Sequence, residues 1–81
     1  MPSIVRTKGH RALISVIVAC RKKAGLTQAQ LAERCKKPQS WIASIESGQH
    51  GVQAAELPLL AKGLGIAELR FYKLWMAFRD T

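Results

Sequence analysis

Eighty-one residues make a single domain with one small core, too little chain to fold around a deep catalytic cleft. Lysine and arginine number 13 against 5 acidic residues, and the net charge of +8 directs attention to polyanions: nucleic acid or an anionic membrane surface. An apolar content of 48% and the dispersal of the charges along the chain exclude a disordered basic tail.

Residues 1–8, with Pro2, scattered basic residues and little periodicity, read as a flexible N-terminal arm ahead of a single domain over 9–81. Arg6, Lys8 and Arg11 lie within reach of a phosphate there, although a terminus is more often simply disordered. A first helix is expected from about Gly9 to about Ala24, with Leu13, Ile17, Cys20 and Ala24 as its core stripe. The run Leu13 to Val18 has strong β-propensity; the length of the segment and the sequence after Arg21 decide for helix. Ile14, Val16 and Val18 are apolar too, so this helix needs a second surface to cover it. Neither a secretory leader nor a membrane span is expected. The run Ala12 to Cys20 has no small-residue cleavage site, leads into Arg21-Lys22-Lys23, and is too short to cross a bilayer.

The next stretch, Leu26 to Gly48, organises the chain. Thr27 and Gln30 have the spacing of a capping box, and Leu26 and Leu31 that of a hydrophobic staple. A short second helix over about Gln28 to Cys35 would bury Leu31, Ala32 and Cys35. Lys36 and Lys37 suit its C-terminal end. Pro38 suits the first position of a third helix, which Gly48 ends. At 100° per residue, Trp41, Ile42 and Ile45 share one apolar arc of that helix. Gln39, Ser40, Ala43, Ser44 and Ser47 share the opposite arc, which carries no charge. Such side chains suit base edges: Gln pairs with adenine, Ser with several bases, and a methyl packs on thymine. Two short helices joined by a tight turn, the second with such a face, describe a helix-turn-helix.

A loop follows, then a fourth helix with Leu57, Leu60, Ala61 and Leu64 inward; Pro58 requires it either to start nearby or to kink. Gly63 weakens its last turn and Gly65 ends it. A fifth helix is expected from Ala67 to about Arg79, apolar over more than half its circumference. The cysteines, Cys20 and Cys35, lack metal-ligand spacing and read as buried thiols in a reducing cytosol, with a disulfide or metal site as the alternative. His10 and His50 stand alone and read as solvated loop residues. No metal or cofactor is called for, and no Ser/His/Asp set, carboxylate pair or phosphate-binding Gly loop suggests an enzyme.

The ordered residues Gly25-Leu26-Thr27-Gln28, Leu31-Ala32, Pro38-Gln39-Ser40, Ile42, Ile45-Glu46 and Gly48 resemble the Cro/C1-type helix-turn-helix domains, the XRE family. The likeness covers roughly Leu13 to Ile66. It implies an all-α, lambda-repressor-like bundle of five helices that binds DNA. The family usually has Gly where this chain has Lys36. A left-handed residue there costs about 1 kcal/mol, so a slightly reshaped turn is expected. The resemblance also implies an ion pair between Arg21 and Glu46, with the partly buried carboxylate needing that partner.

These readings assign base contacts to Gln39, Ser40, Ala43 and Ser44. Phosphate contacts fall to Gln28 at the start of the second helix and to Lys36, Lys37, Ser47 and His50. One helix-turn-helix reads few base pairs, so a homodimer on a palindrome is expected. The fifth helix offers more apolar surface than one core can cover. Phe71, Leu74, Trp75 and Phe78 form one arc and Leu69, Tyr72 and Met76 the adjoining one. One arc can pack on the first helix, and which one faces outward the sequence leaves open; the first, anchored by Trp75 and Phe78, is taken as the dimer interface, in keeping with family members that pair through C-terminal helices. The expected function is that of a repressor-like transcriptional regulator of double-stranded DNA in the cytoplasm, associated with the nucleoid. The alternative is an antitoxin- or coactivator-type module whose partner is another protein.

Overall fold

The computed structural model describes residues 7–80. Its elements are α1 (Lys8–Lys23), α2 (Gln28–Arg34), α3 (Gln39–Glu46), a single 3-10 turn (Ala54–Glu56), α4 (Leu57–Leu64) and α5 (Glu68–Arg79). There is no strand among the described residues. Of the expected arm, residues 1–6 lie outside the described residues, while Lys8 is already helical.

Each helix starts where the local chemistry allows. Thr7 caps α1, its Oγ1 accepting the His10 N–H at 3.1 Å. The expected capping box opens α2: Thr27 Oγ1 accepts from Gln30 N at 3.1 Å and Gln30 Oε1 accepts from Thr27 N at 2.9 Å. Pro38 stands one position earlier than expected, immediately before α3, where its fixed φ of −67° leads into the helix. The 3-10 turn ends at Glu56 and α4 begins at Leu57 with Pro58 in its first turn, so the proline starts the helix instead of kinking it.

The core joins all five helices. Leu13, Val16 and Ile17 of α1 meet Leu31, Ala32 and Cys35, then Ile42 and Ile45, then Leu60, Ala61 and Leu64, with Phe71 from α5 and Val52 from the loop. The β-prone run is therefore helical because Val16 and Ile17 are completely buried, and tertiary burial outweighs propensity. α5 lies along α1 and covers its second apolar face. Three expected core residues, Cys20, Leu26 and Leu57, are only partly buried against this cluster, and Ala24 at the end of α1 is exposed.

The turn between α2 and α3 is not reshaped. Lys36 takes the left-handed conformation (φ 57°) that the family gives to glycine. Around it Lys36 N donates to Glu33 O and Lys37 N to Ala32 O, the paired bonds of a Schellman ending. Those bonds satisfy the carbonyls at the end of α2 and hold the lysine in its strained region. Gly63 has a different role from the one expected. A Cβ there would stand 2.6 Å from Cys35 Sγ and 3.1 Å from Leu31 Cδ1, so its absence lets α4 lie close on α2.

Candidate nucleic-acid interface

α3 presents its two faces as the periodicity predicts. Ile42 and Ile45 are completely buried, and Trp41 is half-buried beside them. Gln39, Ser40 and Ser47 are exposed; Ala43 and Ser44 are partly so. Lys37, Ser40, Trp41, Ser44, Gln49 and His50 line one open concavity, which brings two expected phosphate contacts beside two expected base contacts. Lys37 reaches over the Trp41 ring, with Nζ 5.5 Å from its centroid. Lys36 is exposed in the adjoining turn.

The base of α3 is fixed to α1 and α2 by one carboxylate. Arg21 Nε donates to Glu46 Oε2 at 2.7 Å and Nη2 to Oε1 at 2.9 Å, a bidentate pair as expected. Arg21 Nη1 donates to Leu26 O at 2.9 Å, so the same guanidinium ties down the chain entering α2. The side chains are 12% and 9% exposed. The hydrogen bond to Glu46 raises the Arg21 pKa and fixes its charged form. Gln28 joins this network: its Nε2 donates to Glu46 Oε1 at 3.0 Å. The amide expected on phosphate thus already has one hydrogen committed inside the protein. The Ser47 hydroxyl likewise donates to Ser44 O at 3.2 Å, closing the last turn of α3.

A second carboxylate, which the sequence reading passed over, fixes the other end of the interface. Glu56 Oε2 accepts from Trp41 Nε1 at 3.1 Å. Its Oε1 accepts from Gln53 N at 2.8 Å and lies 3.2 Å from His50 Nε2. Burial pushes the Glu56 carboxyl up, but the Gln53, His50 and Trp41 hydrogen bonds outweigh it and hold the group below the usual carboxylate range. Gln53 and Glu56 cap the 3-10 turn reciprocally, but glutamine is not one of the usual cap residues, so the sequence carried little signal for it.

His10 is not a solvated loop residue, and His50, although in the loop after α3 and partly exposed, is not free of partners. His50 packs beside Trp41, ring centroids 6.3 Å apart, and contacts Glu56. His10 lies on the inward face of α1 and is 5% exposed. Its Nε2 accepts the Val52 N–H at 2.9 Å, a buried donor that would otherwise be orphaned. Its Nδ1 then carries the proton and has no partner. Burial, with the neighbouring His50, pushes the His10 imidazole down from its ordinary value of 6.5.

The expected dimer surface needs correction. Phe71 is completely buried and has nothing to offer a partner, because its arc is the one that faces α1. Leu74 and Trp75 pack against the core, and Trp75 Nε1 donates to Gly9 O at 2.7 Å. Phe78, near the end of the helix, is 39% exposed. On the adjoining arc Leu69 is 65% exposed and Met76 is half-buried, while Tyr72 packs against the core as Leu74 and Trp75 do.

Both cysteines are free thiols. Cys35 is buried, its Sγ donating to Leu59 O at 3.6 Å, and burial raises its pKa. Cys20 is half-buried. No group of His, Cys, Asp or Glu among the described residues could hold a metal ion. No helix among them is long and apolar enough to cross a membrane.

Five helices with a short α2, a Schellman turn and an α3 whose uncharged face is open define a helix-turn-helix domain. The family model described as a helix-turn-helix domain matches residues 18–70, and the chain belongs to that family. The resemblance to Cro/C1-type domains is borne out at this level. The wild-type restriction-modification controller protein C.Esp1396I is 23% identical with a TM-score of 0.86, covering 98% of this chain and 99% of that one. The tetramer of that protein in complex with its natural 35 base-pair operator gives 23% identity, a TM-score of 0.85 and the same coverage. A single-residue mutant of it reaches a TM-score of 0.87 over 93% of this chain and 100% of that one. At such identity the likeness establishes the fold. No curated protein matches the chain.

Proposed function

We propose that this protein is a repressor-like transcriptional regulator that binds double-stranded DNA in a sequence-specific manner, with α3 in the major groove. The observation that carries the reading is the open, uncharged face of α3 with basic residues beside it. Gln39, Ser40, Ala43 and Ser44 read base edges, Gln39 bidentate on adenine. Lys36, Lys37 and His50 hold phosphates alongside, joined by Ser47 and by the remaining amide hydrogen of Gln28. The net charge of +8 supplies the sequence-independent part of the affinity. The similar controller protein is a tetramer on its operator, which supports binding as symmetric pairs. In this chain the pairing surface lies on α5 around Leu69, with Met76 beside it. A DNA-binding regulator of this kind works at the nucleoid.

The test is selection of bound duplexes from a random pool. Recovery of a palindrome with half-sites about one helical turn apart supports the reading. Recovery of no preferred sequence contradicts it.

A further inference from the structure

Glu56 does more than a capping carboxylate needs. Capping the 3-10 turn takes only the Gln53 N–H. The same carboxylate also receives Trp41 Nε1 from α3 and faces His50 Nε2 from the loop after α3, so three segments converge on it. Its side chain is 18% exposed and that of His50 is 34% exposed, so the histidine stands between a sheltered anion and solvent. On the solvent side it shares the concavity with Lys37, Ser40 and Ser44.

The tautomer follows from the partner. An ionised carboxylate only accepts hydrogen bonds, so His50 Nε2 must carry a hydrogen. In a neutral ring the other nitrogen, Nδ1, is then a lone pair, which a phosphate oxygen repels. A His50 that is held by Glu56 and also donates to phosphate must be an imidazolium. The charged and titratable groups facing it are the Glu56 carboxylate from the 3-10 turn, Lys37 from the α2–α3 turn and His10 from α1. An arriving phosphate adds a second anion on the far side of the ring.

We propose that Glu56 is a positioning residue for DNA binding: it holds His50 so that the imidazole bridges carboxylate and phosphate, and each bound chain takes up one proton. This rests on the DNA-binding reading above. The charge that Glu56 holds is therefore supplied by the DNA-bound state, and affinity becomes a function of pH in the range where imidazoles titrate.

Phosphate contacts are independent of sequence, so a short duplex of random sequence is a sufficient probe. Its affinity is measured at constant salt between about pH 6 and about pH 8, the heart of the imidazole range, for wild type, His50→Gln and Glu56→Gln, each checked as folded by circular dichroism. Wild-type affinity should fall with rising pH, approaching about tenfold per pH unit for one linked proton. His50→Gln should remove that dependence. Glu56→Gln keeps an acceptor oxygen but no charge; it should shift the dependence to lower pH. A flat wild-type profile overturns the proposal. So does a His50→Gln profile as steep as wild type, or a Glu56→Gln that weakens binding by the same factor at every pH, which is the behaviour of a merely structural residue. Failure of the wild type to bind the duplex at any pH overturns the DNA-binding reading itself.

Discussion

Replacing Glu46 by alanine removes the acceptor of three donors at once: Arg21 Nε, Arg21 Nη2 and Gln28 Nε2. The guanidinium, 12% exposed, is left with one neutral acceptor, the Leu26 carbonyl. An exposed ion pair contributes about 0–1 kcal/mol, and breaking a fully buried one costs about 3–5 kcal/mol. This pair lies close to the buried limit but touches solvent at its edge, so the expected loss is about 2–4 kcal/mol. A chain of this size has a total stability of roughly 4–12 kcal/mol, so the loss is a large share of it. Urea unfolding followed by circular dichroism should show a lower midpoint at an unchanged slope. The melting temperature should drop by more than about 8 °C. Arg21→Met combined with Glu46→Leu, which removes both charges, should be much less harmful than the two single changes added together. A loss below about 0.5 kcal/mol for Glu46→Ala, the level of an ordinary surface change, would refute the reasoning.

Gly63→Ala forces a methyl to within 2.6 Å of Cys35 Sγ and should cost about 1–3 kcal/mol in urea unfolding, with partial recovery when Cys35→Ala makes room. His10 is held neutral in the fold, so the folded protein binds fewer protons than the unfolded chain. Stability should therefore be full above the ordinary value of 6.5 and fall as pH drops below it towards the lowered folded value; urea midpoints across that window should fall less for His10→Gln. Leu69→Glu places a charge on the exposed surface of α5 and should yield a folded monomer by light scattering where wild type is a dimer; a wild-type monomer at about 100 μM would count against pairing through this surface.

Local signals carried most of the fold. The Thr27–Gln30 capping box, the Gly48 stop and the apolar arc of Ile42 and Ile45 are rules about neighbours in the chain, and they hold in the structure. The Arg21–Glu46 pair spans 25 residues and was legible only because a familiar pattern carried it. Long-range geometry was not legible. His10 reads as isolated because its partner, the Val52 amide, is 42 residues away. Periodicity divides α5 into two arcs, but which residues meet α1 depends on how two helices dock: Phe71 is buried, Tyr72 of the adjoining arc also packs against the core, and Phe78 is 39% exposed. Lys36 shows a local rule overridden: the Schellman bonds on either side outweigh the penalty for a left-handed lysine. The exposure of Gln39, Ser40 and Lys37 on one side of α3 and its preceding turn was readable from the chain, while the second anchor was not, since it joins Trp41 and His50 through Glu56 in a separate turn.

The most direct test of the assigned DNA-reading face is the affinity of Gln39→Ala for the palindrome selected by wild type and for duplexes altered at one base pair of each half-site. Gln39 is exposed on α3, so its loss should leave the fold intact. The expected result is a weakening of about 1–3 kcal/mol that is confined to one base position, where the mutant no longer discriminates. A mutant that binds every duplex as wild type does would contradict the assignment of this face to base reading.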